Sequence, residues 1–298
     1  MTFRMFRNLK LRTRTDIVIC GLILLCLLPG CRTEERMDPD EAASAETLKA
    51  AGGTLQTSSI ASNNFSISVI GIDFSDLPVG DAAIAPAGKL PYLRTLLLRG
   101  TKVTDAGLAV FKESQCLETV DFSHTNVSGT GLELLHHNFI KDLTLADSKF
   151  ADGGMASLVE IGHHLVRLNL AGTKIADEDM EPIKNLRALE VLDLSRTAIS
   201  GPSLRYLPGG LKELNLSGSA ILDSGLARLE QFKLLETLDL SGTKITDNAI
   251  PHIQAMIESQ DKSFGRRKFK HLNLRKTAVS DKAVAALKAS APDVTIER

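Results

Sequence analysis

The chain has 298 residues, 43% of them hydrophobic, and a formal net charge of −1. That is enough apolar material for a sizeable core, and with 4% aromatics and no Trp the core must be built from stacked aliphatic side chains. Arg4, Arg7, Lys10, Arg12 and Arg14 face only Asp16 within residues 1–30, so the remainder carries a net charge of −5. An acidic remainder excludes general nucleic-acid binding, which needs a basic footprint.

Those five basic residues precede an apolar run, Ile17 to Leu28. A run of roughly twelve residues is shorter than the ~20 that span a bilayer. Residues 1–30 therefore read as a signal peptide. The run ends Leu28-Pro29-Gly30-Cys31, which resembles the bacterial lipoprotein box. The resemblance implies that the Cys31 sulfur takes a diacylglycerol, that the chain is cut before it, and that the mature protein is lipid-anchored in the bacterial cell envelope. Arg32 stands where inner-membrane retention is associated with Asp, which favours the outer membrane. An ordinary secreted protein and an uncleaved anchor are the alternatives. Beyond Cys31 only Cys116 remains, so no intramolecular disulfide forms without the lipid-bearing sulfur.

Residues 31–39 are charged and read as a tether, and 40–68 as an N-terminal cap. Asp38 is the expected N-cap of a helix, Pro39 fills its first turn, and Glu41 is expected to close a capping box. Glu41 to Ala51 is Ala-rich, and Gly52-Gly53 stops the helix. Thr54 to Ser68 predicts a pair of extended segments around Ser58 to Asn64.

From Val69 to the C-terminus one pattern recurs nine times: Leu-x-x-Leu-x-Leu-x-x-Thr-x-Ile-x-Asp-x-x-Leu. Units begin at Val69, Leu93, Leu117, Ile140, Leu165, Leu189, Leu211, Leu235 and Phe269. A unit of about two dozen residues cannot bury its own apolar face, so copies must stack into a solenoid. Alternation around Leu168 and Leu170 turns both inward and leaves Asn169 outward. With a last strand at Val294 to Ile296, ten strands at about 4.8 Å predict a ladder roughly 43 Å long. The ninth position is Thr or Ser in every unit but the first, which has Leu77. A short hydroxyl there satisfies the turning backbone. The thirteenth is Asp81, Asp105, Asp152, Asp177, Asp223, Asp247 and Asp281, expected to N-cap each following helix. Where it is Gly129 or Gly201, Ser128 or Ser200 is expected to supply the cap.

These units resemble the leucine-rich repeat family, close to its cysteine-containing subclass with Thr replacing Cys. The resemblance spans residues 69–298, nine units plus the terminal strand. It implies an α/β horseshoe with a parallel β-ladder on the concave face, short helices on the convex face, and binding of protein or peptide.

The outward strand positions are Asp73, Leu97, Asp121, Thr144, Asn169, Asp193, Asn215, Asp239 and Asn273. Asp121, Asn169, Asp193, Asn215, Asp239 and Asn273 form the candidate binding stripe, a polar groove for a segment rich in donors. The same Asx column is also what the repeat needs for solubility and register. The 34-residue unit carries an insertion, Ser259 to Lys268, expected to be a basic loop with Lys262, Arg266, Arg267 and Lys268. Through residues 259–270 it offers an alternative reading, contact with glycan or polyanion. A structural envelope spacer without a specific ligand is a further alternative. Two pairs, His136-His137 and His163-His164, are offset differently from the next strand and do not predict a metal site. No Gly-rich phosphate loop, His-Glu-x-x-His, Cys-x-x-Cys or Gly-x-Ser-x-Gly is present. The chain reads as a non-enzymatic protein with no cofactor, metal, nucleic acid or small-molecule substrate.

Overall fold

The computed structural model describes residues 36–62, 65–151, 153–264 and 268–298. Its spine is one sheet of eleven strands in sequence order. They are β1 (Thr54–Ser62), β2 (Phe65–Asp73), β3 (Thr95–Leu97), β4 (Thr119–Asp121), β5 (Asp142–Thr144), β6 (Arg167–Asn169), β7 (Val191–Asp193), β8 (Glu213–Asn215), β9 (Thr237–Asp239), β10 (His271–Asn273) and β11 (Thr295–Glu297). From β2 onward neighbours pair in parallel and in strict register, for example Leu192 against both Leu168 and Leu214. The expected ten strands are eleven, because β1 adds an antiparallel edge to β2. The ladder is correspondingly longer, about 48 Å. The expected boundary between cap and repeats at Ser68/Val69 falls inside β2, which belongs to both.

Three-residue strands are short, yet the inter-coil ladder runs on past them. The N–H of Leu194 bonds the carbonyl of Asn215 at 2.9 Å, and that of Arg196 bonds Ser217 at 2.8 Å. The chain then leaves the sheet through a left-handed residue in all nine units. Gly occupies that position at 100, 172, 218 and 242, while Asp76, His124, Asp147, Arg196 and Lys276 hold it with φ between 53° and 62°. One position later the Thr/Ser column does what its chemistry suggests. Thr173 Oγ1 donates to the Leu170 carbonyl at 2.7 Å, and Thr197 to Leu194 at 2.6 Å, both buried.

Inside, each coil stacks the same aliphatic set. Leu189, Leu192, Leu194, Ile199 and Leu204 are all 0–1% exposed. Each fully buried side chain of this kind contributes about 1.5–3 kcal/mol. The convex side is made of short 3-10 turns such as Asp105–Phe111, with α-helical pieces α2 (Asp81–Ile84), α3 (Gly154–Ile161), α4 (Ile250–Phe264) and α5 (Asp281–Ser290) following the cap helix α1 (Pro39–Ala50). Leu108 and Phe111, three apart, are buried as the periodicity predicts.

The thirteenth-position Asp corrects the sequence reading. It is the first residue of its own turn, and its carboxylate reaches into the next coil. Asp105 accepts from Ser128 N and Oγ at 2.8 Å each, and from Gly129 and Gly131 N at 3.1 and 2.9 Å. Asp81 binds Thr104, Asp177 binds Ser200, Asp223 binds Thr246 and Asp247 binds Ser280 in the same way. Ser128 and Ser200 are therefore receivers of the previous coil's carboxylate, not caps of their own turns. The reason is geometric: the orphan N–H groups that begin one turn point back toward the coil before it. Gly107 leaves room for this, since a Cβ there would lie 2.4 Å from Asp81 Oδ1.

Two further expectations change. Asp38 does cap α1, accepting from Asp40 and Glu41 N–H, but Glu41 does not close the box. It is buried, and its Oε1 accepts the Val69 N–H at 2.6 Å while Ser68 Oγ donates to Oε2 at 3.2 Å. Glu41 thus ties the cap helix to β2. The insertion is not a loop at its start: residues 259–264 extend α4. Gln260, fully buried, donates to the Phe232 and Leu235 carbonyls at 3.2 and 2.9 Å and accepts from Lys268 and Phe269 N–H at 3.0 and 2.9 Å. Among the described residues no helix is long and apolar enough to cross a membrane.

Candidate functional site

The concave face is built by the first and third residues of each strand, which point away from the core while the second is buried. The register brings the candidate stripe together as one column, Asp193 beside Asn215 beside Asp239 beside Asn273, with Asp121 and Asn169 on β4 and β6.

Each member spends one oxygen on its own chain. Asp193 Oδ1 accepts the Ser195 N–H at 2.8 Å, Asn215 Oδ1 that of Ser217 at 2.9 Å, and Asp239 Oδ1 that of Ser241 at 2.8 Å. Asp121, Asn169 and Asn273 repeat the arrangement. These are Asx turns that fix the strand's exit. The second polar atom faces along the column: Asn215 Nδ2 donates to Asp193 Oδ2 at 3.0 Å and Asn273 Nδ2 to Asp239 Oδ2 at 2.9 Å. The stripe is half-buried and internally hydrogen-bonded.

Beside it, Glu213 on β8 is exposed. With Asp193 and Asp239 it makes three carboxylates on three successive strands. The cations flanking Glu213 and Asp193 in sequence are already engaged. Lys212 pairs with Glu190 at 2.7 Å, and Arg196 makes two 2.8 Å bonds to Asp147. This stretch of the face is therefore net acidic and offers acceptors.

Two charged features escaped the sequence reading. One residue after each unit start the sign alternates: Arg94, Glu118, Lys141, then Glu190, Lys212, Glu236 and Lys270 across Val166. Lys141 meets Glu118 at 2.8 Å and Lys270 meets Glu236. At the exit turns, Arg196 reaches over Gly172 to grip Asp147 two coils away, with His124 Nε2 at 3.8 Å from the same carboxylate. The Arg196 hydrogen bonds hold the Asp147 carboxyl below its usual range. A Cβ at Gly172 would lie 2.1 Å from Asp147 Oδ1, so only Gly permits the bridge.

Of the expected basic loop, Arg266 and Arg267 lie outside the described residues, as does Cys31 with the whole signal peptide. Lys262 lies in α4, Lys268 is partly buried, and the adjoining Lys270 is taken by Glu236. The His136 and His137 ring centroids lie 3.8 Å apart with their planes tilted by 45°, and those of Phe139 and His164 lie 5.0 Å apart. Among the described residues no three His, Cys, Asp or Glu side chains converge as metal ligands.

The leucine-rich repeat family model matches residues 113–135, 163–184 and 233–250. Among solved structures, an internalin (inlF) of Listeria monocytogenes aligns with TM-score 0.55 at 19% identity, over 76% of this chain and 57% of that one. A leucine-rich repeat protein of Leptospira interrogans gives 0.52 at 16%, over 76% and 59%, and internalin C2 of L. monocytogenes gives 0.51 at 17%, over 87% and 93%. The chain spans less than two thirds of the first two. At these identities the likeness is one of fold, and it is a fold commonly used for protein–protein interaction. In its repeats and in its architecture, the chain has the leucine-rich repeat fold.

Proposed function

We propose that the chain is a lipid-anchored binding module of the bacterial cell envelope, holding a protein or peptide segment on its concave face. The observation that carries the binding half is the acidic stretch of β7–β9. Asp193, Glu213 and Asp239 face outward on adjacent strands, and the neighbouring cations Lys212 and Arg196 are held in pairs of their own. A basic or donor-rich segment is the chemistry such a surface favours. The anchoring half rests on the Leu28-Pro29-Gly30-Cys31 sequence.

Lysine at both Glu213 and Thr237, concave-face positions outside the Asx turns, tests the binding half. Proteins crosslinked to the parent chain in intact envelopes should be lost from the variant. An unchanged set would refute the reading. For the anchor, Cys31→Ala should abolish palmitate labelling and release the protein from membranes. Unchanged fractionation would contradict it.

One observation favours a second reading, an envelope spacer. Every Asx of the stripe is spent on its own Asx turn, so the column serves the solenoid even without a ligand. A spacer keeps its phenotype through the lysine changes at Glu213 and Thr237, which leave every Asx turn in place; a binding module does not.

A further inference from the structure

The two ends of the sheet are treated differently. At the C-terminal edge β11 has only three residues, the last of them Glu297, which pairs with Arg275 at 3.6 Å. Short length and charge are the usual devices that keep an edge strand from pairing with another chain. The N-terminal edge has neither. Strand β1 runs nine residues, Thr-Leu-Gln-Thr-Ser-Ser-Ile-Ala-Ser, with no charged residue and no Pro. Thr54 and Gln56 to Ser59 are exposed, and among the described residues no strand covers the outer edge. A bulge would ordinarily bend such an edge away. Of the two register shifts, the first puts its extra residue, Ile70, on β2, because Gln56 pairs with Gly71 and Thr57 with Val69; the second puts one on β1, but only beyond Ser59, since Ser59 pairs with Ile67 and Ser62 with Phe65. Strand β1 itself is uninterrupted from Thr54 to Ser59.

We propose that β1 pairs with β1 of a second copy of this chain, antiparallel about a two-fold axis. The residues choose that occupant. In an isologous antiparallel pair the residue on the axis meets its own copy, and those on either side of it meet each other. A charge there would meet itself, whereas Thr57, Ser58 and Ser59 carry hydroxyls, each both donor and acceptor and so complementary to themselves. Backbone groups left open on one β1 are the partners of those on the other. The axis of such a pair stands perpendicular to the sheet. Both concave faces then lie on the same side, and two eleven-stranded sheets become one of twenty-two. The surface available to a ligand is doubled without altering either copy.

Cysteine crosslinking of the full-length chain in bacterial membranes tests this. Single Cys replacements are placed at Gln56, Thr57, Ser58 and Ser59, with Thr295→Cys on β11 as the far-edge control and the parent chain giving the background from its own cysteines. Antiparallel self-pairing requires covalent dimer at one or two of these β1 positions. It also requires mixed pairs to crosslink only when their numbers add to one constant. Thr295→Cys should stay at background. Lysine at both Thr57 and Ser59, exposed positions where the monomer's melting temperature should hold, should lower dimer yield by at least about tenfold. No dimer above background overturns the proposal. So does equal crosslinking at Thr295, which marks random collision, or an adduct of another mass, which gives the edge to a different protein. If the lysine variant fails to fold, the cysteine register decides alone.

Discussion

Removing the Asp105 carboxylate is expected to loosen the solenoid between two coils. Its oxygens accept three backbone N–H groups and one hydroxyl from the next coil, all within 3.1 Å. Burial alone would push this carboxyl up; the donors of Gly131, Ser128 and Gly129 outweigh it and hold it below the ordinary carboxylate value. A hydrogen bond to a charged group contributes about 1.5–3 kcal/mol, and four on one half-buried carboxylate are neither additive nor unscreened. We expect Asp105→Ala to cost about 2–4 kcal/mol in urea unfolding, the range of a broken buried network. Ser128→Ala should cost about 1 kcal/mol, with the double variant showing coupling of at least ~0.5 kcal/mol. Because the folded pKa is lowered, this stability is present above the unfolded Asp value near 3.9 and is lost as pH falls through the folded one. Asp105→Asn should lack that acid-side loss. An alanine variant within about 0.5 kcal/mol of the parent, the range of an indifferent surface change, would refute the inter-coil bridge.

Gln260→Leu should be among the most damaging single changes, about 3 kcal/mol or more, because two carbonyls and two N–H groups lose their partner at a fully buried site. A melting temperature within two or three degrees of the parent would contradict it. The Glu41 carboxyl is raised, chiefly by burial, against the opposing Val69 and Ser68 hydrogen bonds. Its contribution is full below the unfolded value near 4.3 and is lost as pH rises through the folded one. Glu41→Gln should therefore slow hydrogen exchange of the cap amides at neutral pH; faster exchange contradicts the assignment. Gly172→Ala should cost at least about 1–2 kcal/mol, from the left-handed turn alone. It should also break the Arg196–Asp147 pair; an unchanged crystal geometry for that pair would refute the steric argument.

Fold and stripe were legible because they repeat. Leu at fixed offsets sets the strands, and the Thr column announces a turn that needs a hydroxyl. The Asp column was legible as a column but not in its direction, since a helix start and its cap lie one residue apart in any sequence. The direction is nevertheless written across units. Asp81, Asp105, Asp177, Asp223 and Asp247 are each followed one unit on by Thr or Ser, while Gly129 and Gly201 are followed by Ala151 and Leu222; Asp152, followed by Ala176, is the exception. Only comparison between copies reveals that pairing. Glu41 and Gln260 were illegible for the opposite reason. Each acts once, through a contact about 25 residues away, and one-off long-range partners leave no period. The sheet edge at β1 was half legible: the extended pair was expected, but not that β2 would run on into the first repeat.

The most direct test of the account is site-specific photocrosslinking in living cells, with a photoreactive residue placed in turn at Glu213 and Thr237 on the concave face and at Lys184 and Arg228 on the convex side. Binding on the sheet face predicts a discrete protein adduct from the first two positions and none from the others. Adducts from the convex positions alone, or from neither set, would contradict it.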